Sequence, residues 1–235
     1  MGQIARYKII SIDEQVPGIK IFRLKPAEGK IPPYRPGQFA FIHQLDEKGA
    51  SIQKRPYSIA SIPGMPYLEF CIKNVQGRMT SELDKLAVGS VLGVELPFGH
   101  FTYSGEKNIA MIAGGCGISP LIGILREIAE KGITGRFVLF YSAKTRNTII
   151  YRKELAELPK INPDIKVVLT LTQESPEDWR GECGRINDAL LKKHVEKPSE
   201  FDWWICGPLP MIKGLKDCIV ALGADPKRIR AEGWG

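Results

Sequence analysis

Through its first hundred residues the chain repeats a short rhythm. Alternating or continuous apolar runs, "ARYKIISIDE", "IKIFRLKP", "GQFAFIHQL", "RPYSIAS", "YLEFCIKNV" and "SVLGVELPFG", are broken by Pro- and Gly-rich turns at nearly regular spacing. Short strands separated in this way predict a small antiparallel barrel of six strands. One segment departs from the pattern. "GRMTSELDKLAVG" places Met79, Leu83 and Leu86 at helical spacing, with a Thr80/Ser81 start and Gly89 as a stop.

From Asn108 the rhythm changes. Strands "NIAMIA", "RFVLFYSA", "DIKVVLTLT" and "FDWWICG" alternate with helices "PLIGILREIAEKG", "YRKELAELPK", "RINDALLKKHV" and "PLPMIKGLKDCIVALG", and a short strand "RIRAEGWG" ends the sequence. Alternating strands and helices predict a parallel five-stranded sheet covered on both faces. The change falls within "FTYSGEKN", which divides the chain into domains 1–104 and 105–235. The expected fold is therefore an antiparallel β-barrel followed by a parallel α/β domain, without internal repeats or low-complexity segments.

Bulk properties narrow the function classes. The chain has 235 residues, 43% hydrophobic and 25% charged, which suits one or two ordinary globular domains. The net charge is +7 but is spread out: residues 1–104 carry 13 Lys/Arg against 9 Asp/Glu, and the remainder 20 against 17. No basic run resembles a nucleic-acid arm or a polybasic membrane anchor. The excess serves solubility or forms a patch that steers an acidic partner. The five cysteines are scattered, without CxxC or a cluster-binding run, so neither a disulfide framework nor an iron–sulfur centre is expected, and a reducing cytoplasm fits. The opening residues do not read as a signal peptide. The longest uncharged run, Asn108 to Leu125, is interrupted by three glycines and Pro120 and is rejected as a membrane span.

Five short motifs carry candidate chemistry. "RPYS" sets a guanidinium, a ring and a hydroxyl close together at Arg55, Tyr57 and Ser58, with Pro56 stiffening the strand, although an alternating strand before a turn needs no ligand. "IAGGCGISPLIGIL" runs from a strand through Gly114, Gly115 and Gly117 to a helix opened by Pro120. Such a turn suits a pyrophosphate on a helix N-terminus, or is simply a close-packed corner. "GRMT", from Gly77 to Thr80, is a second helix start, either a plain N-cap or a phosphate site. "CGPLPM" puts Cys206 at the carboxyl end of a parallel strand, where ligands of α/β sheets bind, though a buried cysteine is commonly packing. "AEGWG" places Glu232 and Trp234 on one face of a terminal strand, with Trp234 either a lid over a flat ligand or an anchor.

The order of these motifs, RPYS, then GxxT, GGxGxxP, CGPxxM and a terminal Glu-x-aromatic, resembles the ferredoxin–NADP reductase superfamily from about Ile4 to Trp234. The resemblance implies a flavoprotein oxidoreductase with FAD on the barrel and NAD(P)H on the α/β domain. It implies that Arg55 holds a flavin phosphate, that Tyr57, beside Pro56, lies against the isoalloxazine, and that Ser58 donates near flavin N5. The backbone of Cys71, Ile72 and Lys73 would pass along the flavin. Gly77, Thr80 and the helix amides of Met79 to Ser81 would hold the pyrophosphate, favouring FAD over FMN. Gly114, Gly115, Cys116, Gly117 and Pro120 would carry the nicotinamide nucleotide's pyrophosphate, with Cys116 in place of the usual Thr or Ser. Cys206, with Gly207, Pro208 and Met211, would lie beside the nicotinamide. Glu232 matches the family's terminal carboxylate, and Trp234 the aromatic that covers the flavin. Gly235 extends one residue past the usual end of the plant-type members.

Nucleotide choice is open. Ser142, Lys144 and Arg146 supply groups for a 2′-phosphate and Tyr151 a ring for adenine, which leans toward NADPH. Thr172-Gln173 replaces the Ser-Arg of plant-type enzymes and resembles the oxygenase-reductase branch, many of whose members use NADH. The expected activity is hydride transfer between NAD(P)H and flavin, with single electrons passed to a separate acidic carrier (ferredoxin or flavodoxin) or an oxygenase. The alternatives are an electron-transfer subunit of a larger complex, a reductase of free flavin or ferric chelates, and a binding module without flavin. No nucleic acid, metal or membrane span is expected.

Overall fold

In a computed structural model of the chain, which describes residues 4–234, two compact units meet in sequence at Tyr103 and Ser104.

The first unit is a six-stranded antiparallel sheet: β1 (Ala5–Val16), β2 (Ile19–Pro26), β3 (Phe39–Leu45), β4 (Ser51–Ser58), β5 (Leu68–Lys73) and β6 (Val91–Phe98), in the order β4-β3-β6-β1-β2-β5. The sheet curls until its two edges approach. An antiparallel bridge between Ile59 and Phe70 and a hydrogen bond from Ala60 N to Glu69 O (2.8 Å) join the chain just beyond β4 to β5. Inward positions alternate as strand geometry requires. Tyr7, Ile9, Phe22, Leu24, Ile42, Phe70 and Val94 form the core, all at or near zero exposure. The short helix α1 (Arg78–Asp84) buries Met79 and Leu83 in that core. It begins at Arg78, two residues before the expected Thr80/Ser81 start, because Gly77 already serves as N-cap.

The second unit is a wholly parallel sheet: β7 (Asn108–Gly114), β8 (Arg136–Ala143), β9 (Ile165–Leu171), β10 (Glu182–Cys183), β11 (Asp202–Pro208) and β12 (Ile229–Trp234), ordered β10-β9-β8-β7-β11-β12. Its helices are α2 (Ile118–Glu130), α3 (Arg152–Ile161), α4 (Asp188–His194) and α5 (Leu209–Ala221). Six strands replace the five expected. The extra one, β10, pairs only Glu182 and Cys183 with Thr170 and Leu171, too short and too polar to register as a strand pattern. β7 and β11 read as continuous apolar runs because both faces are covered. Ala110, Ile112, Trp203 and Ile205 pack with Leu191, Val195, Leu215 and Ile219 on one side, while Trp204 faces the other, beneath the Arg230 guanidinium at 4.7 Å. Among the described residues no helix is long and apolar enough to cross a membrane, and no group of three acidic, His or Cys side chains could hold a metal.

Phe70 tests the barrel. It is fully buried, pairs with Phe22 of β2 and forms the closing bridge. Phe70→Ala should lower the unfolding free energy by about 3–5 kcal/mol, read as a shifted urea midpoint. A loss below 1 kcal/mol would mean the bridge region is not part of the core.

Candidate functional site

The RPYS strand displays its side chains in two directions. Arg55 is opposite Ile42 and Tyr57 opposite Ala40, both core positions of β3, so Arg55 and Tyr57 share the inward face. Ser58 is opposite Phe39 and lies on the other face, at the last residue of β4. Arg55 is exposed, and its guanidinium donates to the carbonyl of Lys54 (2.8 Å). Tyr57 packs half-buried against the core, and burial, opposed by the Arg55 charge, pushes its phenol up to about 12, so it stays a neutral ring at any ordinary pH. Cys71, Ile72 and Lys73 form the end of β5, an edge strand, and of the three only Lys73 is exposed.

α1 opens toward solvent without a side-chain cap. Its first helical bond runs from Ser81 N to Gly77 O, so the amides of Arg78, Met79 and Thr80 have no partner within the helix. Thr80 is buried and turns its hydroxyl back to donate to Gly77 O (3.2 Å). Met79 can therefore offer only its amide, since its side chain belongs to the core. The uncapped start, flanked by exposed Lys73 and Arg78, fits a flavin phosphate.

In the second unit the order of strands reverses between β7 and β11, the place where open α/β sheets bind ligands. Three glycines, Gly114 at the end of β7 and Gly115 and Gly117 after it, do different things. A Cβ on Gly117 would sit 2.0 Å from the carbonyl oxygen of Cys206, and one on Gly114 would sit 2.8 Å from Met211 Sδ, so both glycines are demanded by close packing. Gly115 has φ +53° and open space around it, so the conformation needs glycine and leaves room for a ligand. α2 then starts with Gly117 as N-cap and no side-chain cap, and Pro120 fits the first turn because its missing N–H loses no bond. Ser119, buried in that turn, has no hydrogen-bond partner for Oγ among the described residues. An uncapped helix start, an open glycine and an orphaned hydroxyl together fit a dinucleotide pyrophosphate.

Cys206 is paired in register with Ala113 on one side and Glu232 on the other. Burial, with Glu232 and Cys116 nearby, pushes its thiol far up, and burial also raises the Glu232 carboxyl. Gly207 is buried, and Pro208 ends β11 as the N-cap residue of α5. Trp234 pairs in backbone register with Pro208, but its side chain, like Gly235, lies outside the described residues.

A cavity of about 660 Å³ lies among the carboxyl ends of β8 and β9 and helices α4 and α5. Ser142, Thr172, Gln173, Arg185, Asn187 and Met211 line it. Three expected residues do not: Lys144, which is exposed outside the lining, Arg146 and Tyr151. Arg146 is held by Asp178 in a two-pronged pair (2.5 and 3.0 Å), and its amide bonds Glu174. Tyr151 is 3% exposed, with the Arg126 guanidinium over its ring, so it is not presented for stacking on adenine. Arg185 was missed by sequence reasoning, because the cavity wall is formed only when the polar stretch "GECGRIND" folds back beside β9. It is exposed and makes no side-chain bond or ion pair among the described residues.

Thiol chemistry checks this geometry. Native protein treated with iodoacetamide at pH 8 should be alkylated at exposed Cys183 and spared at Cys206 and Cys71 until unfolding. Rapid labelling of Cys206 would show that its site is open and ionised.

Comparison with known proteins agrees with this geometry. The oxidoreductase FAD-binding domain family matches residues 6–103 and the oxidoreductase NAD-binding domain family residues 111–217. The chain is 31% identical over 210 residues to the glycine betaine monooxygenase reductase subunit of Chromohalobacter salexigens, covering 86% of this chain and 56% of that protein. It spans a little over half the length of the curated relatives it matches. By fold it resembles the FAD/NAD-binding domain of a nitric oxide dioxygenase from Vibrio cholerae (TM-score 0.88, 22% identity, 98% of each chain). It also resembles a ferredoxin NADP+ reductase from Neisseria gonorrhoeae crystallised with FAD and NADP (TM-score 0.83, 22% identity, 99% of each chain). The chain thus joins a match to the oxidoreductase FAD-binding domain family with a match to the oxidoreductase NAD-binding domain family, each on a unit with an uncapped helix start where a nucleotide phosphate fits, and shares its fold with a ferredoxin NADP+ reductase.

Proposed function

We propose that this protein is an FAD-dependent oxidoreductase that moves hydride between NAD(P)H and flavin and delivers single electrons to a separate carrier. The observation that carries this reading is the pair of uncapped, glycine-led helix starts, one in each unit. When bound, the nicotinamide ring supplies hydride and the flavin ring accepts it and releases its electrons singly. The chain's own residues bind and orient. Arg55 and the first amides of α1 hold the flavin's phosphates, Tyr57 offers a neutral face to its ring system, and Ser58 donates a hydrogen bond near N5. The amides after Gly115 hold the nicotinamide nucleotide's pyrophosphate. Cys206 stays a neutral thiol beside the nicotinamide and presents no charge to it. Glu232, its carboxyl favoured in the neutral form by burial, stands one strand away.

The relative that is a monooxygenase reductase subunit favours a second reading, in which this chain serves as the electron-transfer part of a larger assembly. Anaerobic titration with NADH and NADPH decides the first step. The bound flavin should bleach with at least one of them, and a purified protein that retains no flavin would end both readings.

The flavin contacts make a further prediction. Arg55→Ala combined with Tyr57→Ala should release flavin, while Ser58→Ala should retain it and slow its reduction about tenfold or more, in stopped-flow absorbance. An unchanged rate in Ser58→Ala would remove that residue from the hydride step.

Nucleotide choice rests on Arg185 rather than Arg146, since Arg146 is already neutralised by Asp178 and Glu174. Arg185→Ala should raise KM for NADPH about tenfold and leave KM for NADH nearly unchanged, whereas Arg146→Ala should alter both alike. Equal effects of Arg185→Ala on the two nucleotides would mean that it does not read the 2′-phosphate.

A further inference from the structure

The outside of the barrel carries a group of cations that the structure leaves unpaired. Lys8 of β1 is directly opposite Lys25 of β2. Directly opposed side chains lie about 5 Å apart at Cβ, so two ammonium groups there repel and destabilise the strand pair. Arg6, two residues before Lys8, shares the same outward face, as the alternation of exposed Arg6, buried Tyr7 and exposed Lys8 requires. Lys30, in the loop after β2, is also exposed. None of these four side chains has an ion pair or hydrogen bond among the described residues. On the same barrel Lys20, Arg23 and Lys54 are paired with Asp84, Glu69 and Glu95, so unpaired cations are not general there and those at positions 8 and 25 are in addition set against each other.

Lys25 and Lys30 also stand at a cleft of about 390 Å³. Five prolines (Pro26, Pro32, Pro33, Pro63 and Pro66) wall it, so its backbone is stiff before anything binds. Tyr34 lines the cleft, held by a hydrogen bond between its hydroxyl and Ser61 Oγ (3.1 Å), and Met65 lines it while 36% exposed. A stiff apolar cleft loses little entropy when an apolar side chain enters it, and the two lysines at its edge, with Lys8 and Arg6 on the adjoining face, favour acidic neighbours of that side chain.

We infer that this face docks an acidic protein, with Arg6, Lys8, Lys25 and Lys30 facing its carboxylates and one of its apolar side chains seated in the proline-walled cleft. The inference deepens the reading of the chain as a donor to a separate acidic carrier, and rests on it for the identity of that partner. A nucleic-acid backbone has no apolar group to fill the cleft. The partner's approach relieves the Lys8–Lys25 repulsion, which gives the cluster a role that an isolated domain does not.

The probe is an acidic [2Fe–2S] ferredoxin, titrated against the FAD-loaded protein by fluorescence quenching at low and at 0.3 M salt, with flavin reduction by NAD(P)H followed in the same samples. Wild-type protein should bind the ferredoxin, more weakly as salt rises. The double substitution Lys8→Glu with Lys25→Glu should weaken binding at least tenfold, and Met65→Asp severalfold, with flavin reduction unchanged in both. Ferredoxin binding unaffected by Lys8→Glu with Lys25→Glu, or absent from wild type at low salt, overturns the inference. So does binding through the same lysines to phosphatidylglycerol vesicles or duplex DNA in place of ferredoxin. Failure of wild-type flavin reduction would sink the catalytic reading instead, and the binding titration would still decide the docking face.

Discussion

The nicotinamide-binding unit depends on one close approach, the backbone at Gly117 against the carbonyl of Cys206. Any side chain at 117 would occupy the space of that carbonyl. The contact lets the turn after β7 lie on the end of β11, at the place where strand order reverses. It therefore fixes where the N-terminus of α2 points and brings Cys206, Gly207 and Met211 alongside the glycine turn. The two readings of this turn, tight packing and ligand binding, are not rivals. Gly114 and Gly117 are consumed by packing, and that packing frees Gly115 to face open space.

The barrel solves a similar problem differently. Its short helix has no glycine turn of that kind. It is held by Met79 and Leu83 in the core, and its first amides are left uncapped. In both units the sequence withholds a side-chain cap from a helix whose buried face holds it in place, which leaves its first amides open. Burial elsewhere disfavours charge: it pushes up the Tyr57 phenol, the Cys206 thiol and the Glu232 carboxyl.

Loops gave the largest departures from expectation. Lys144, Arg146 and Tyr151 follow β8 in sequence, so they looked well placed for a 2′-phosphate and an adenine. Arg146 is instead used to tie its loop to the one after β9 through Asp178, a residue 32 positions away, and Tyr151 is covered by Arg126 from α2. Such pairings depend on which loops fold beside one another, and period or propensity carries no trace of them. Arg185 escaped notice for the same reason. The two-residue strand β10 did too, because its pairing with β9 comes from the return of the chain and not from its own residues.

Periodicity alone determined the alternation of elements, the barrel-then-α/β order and the identity of every helix, because burial of one face imposes a period of two or 3.6 on the residues themselves. The motifs RPYS, GGCGISP and CGPLPM stood out in the sequence as candidates, each beside an ordinary packing reading. Tertiary structure alone decided which glycine packs and which stays open, which face of β4 carries Ser58, and which arginine is free. It also set Lys8 against Lys25, because register is a property of two strands together and cannot be read from either one.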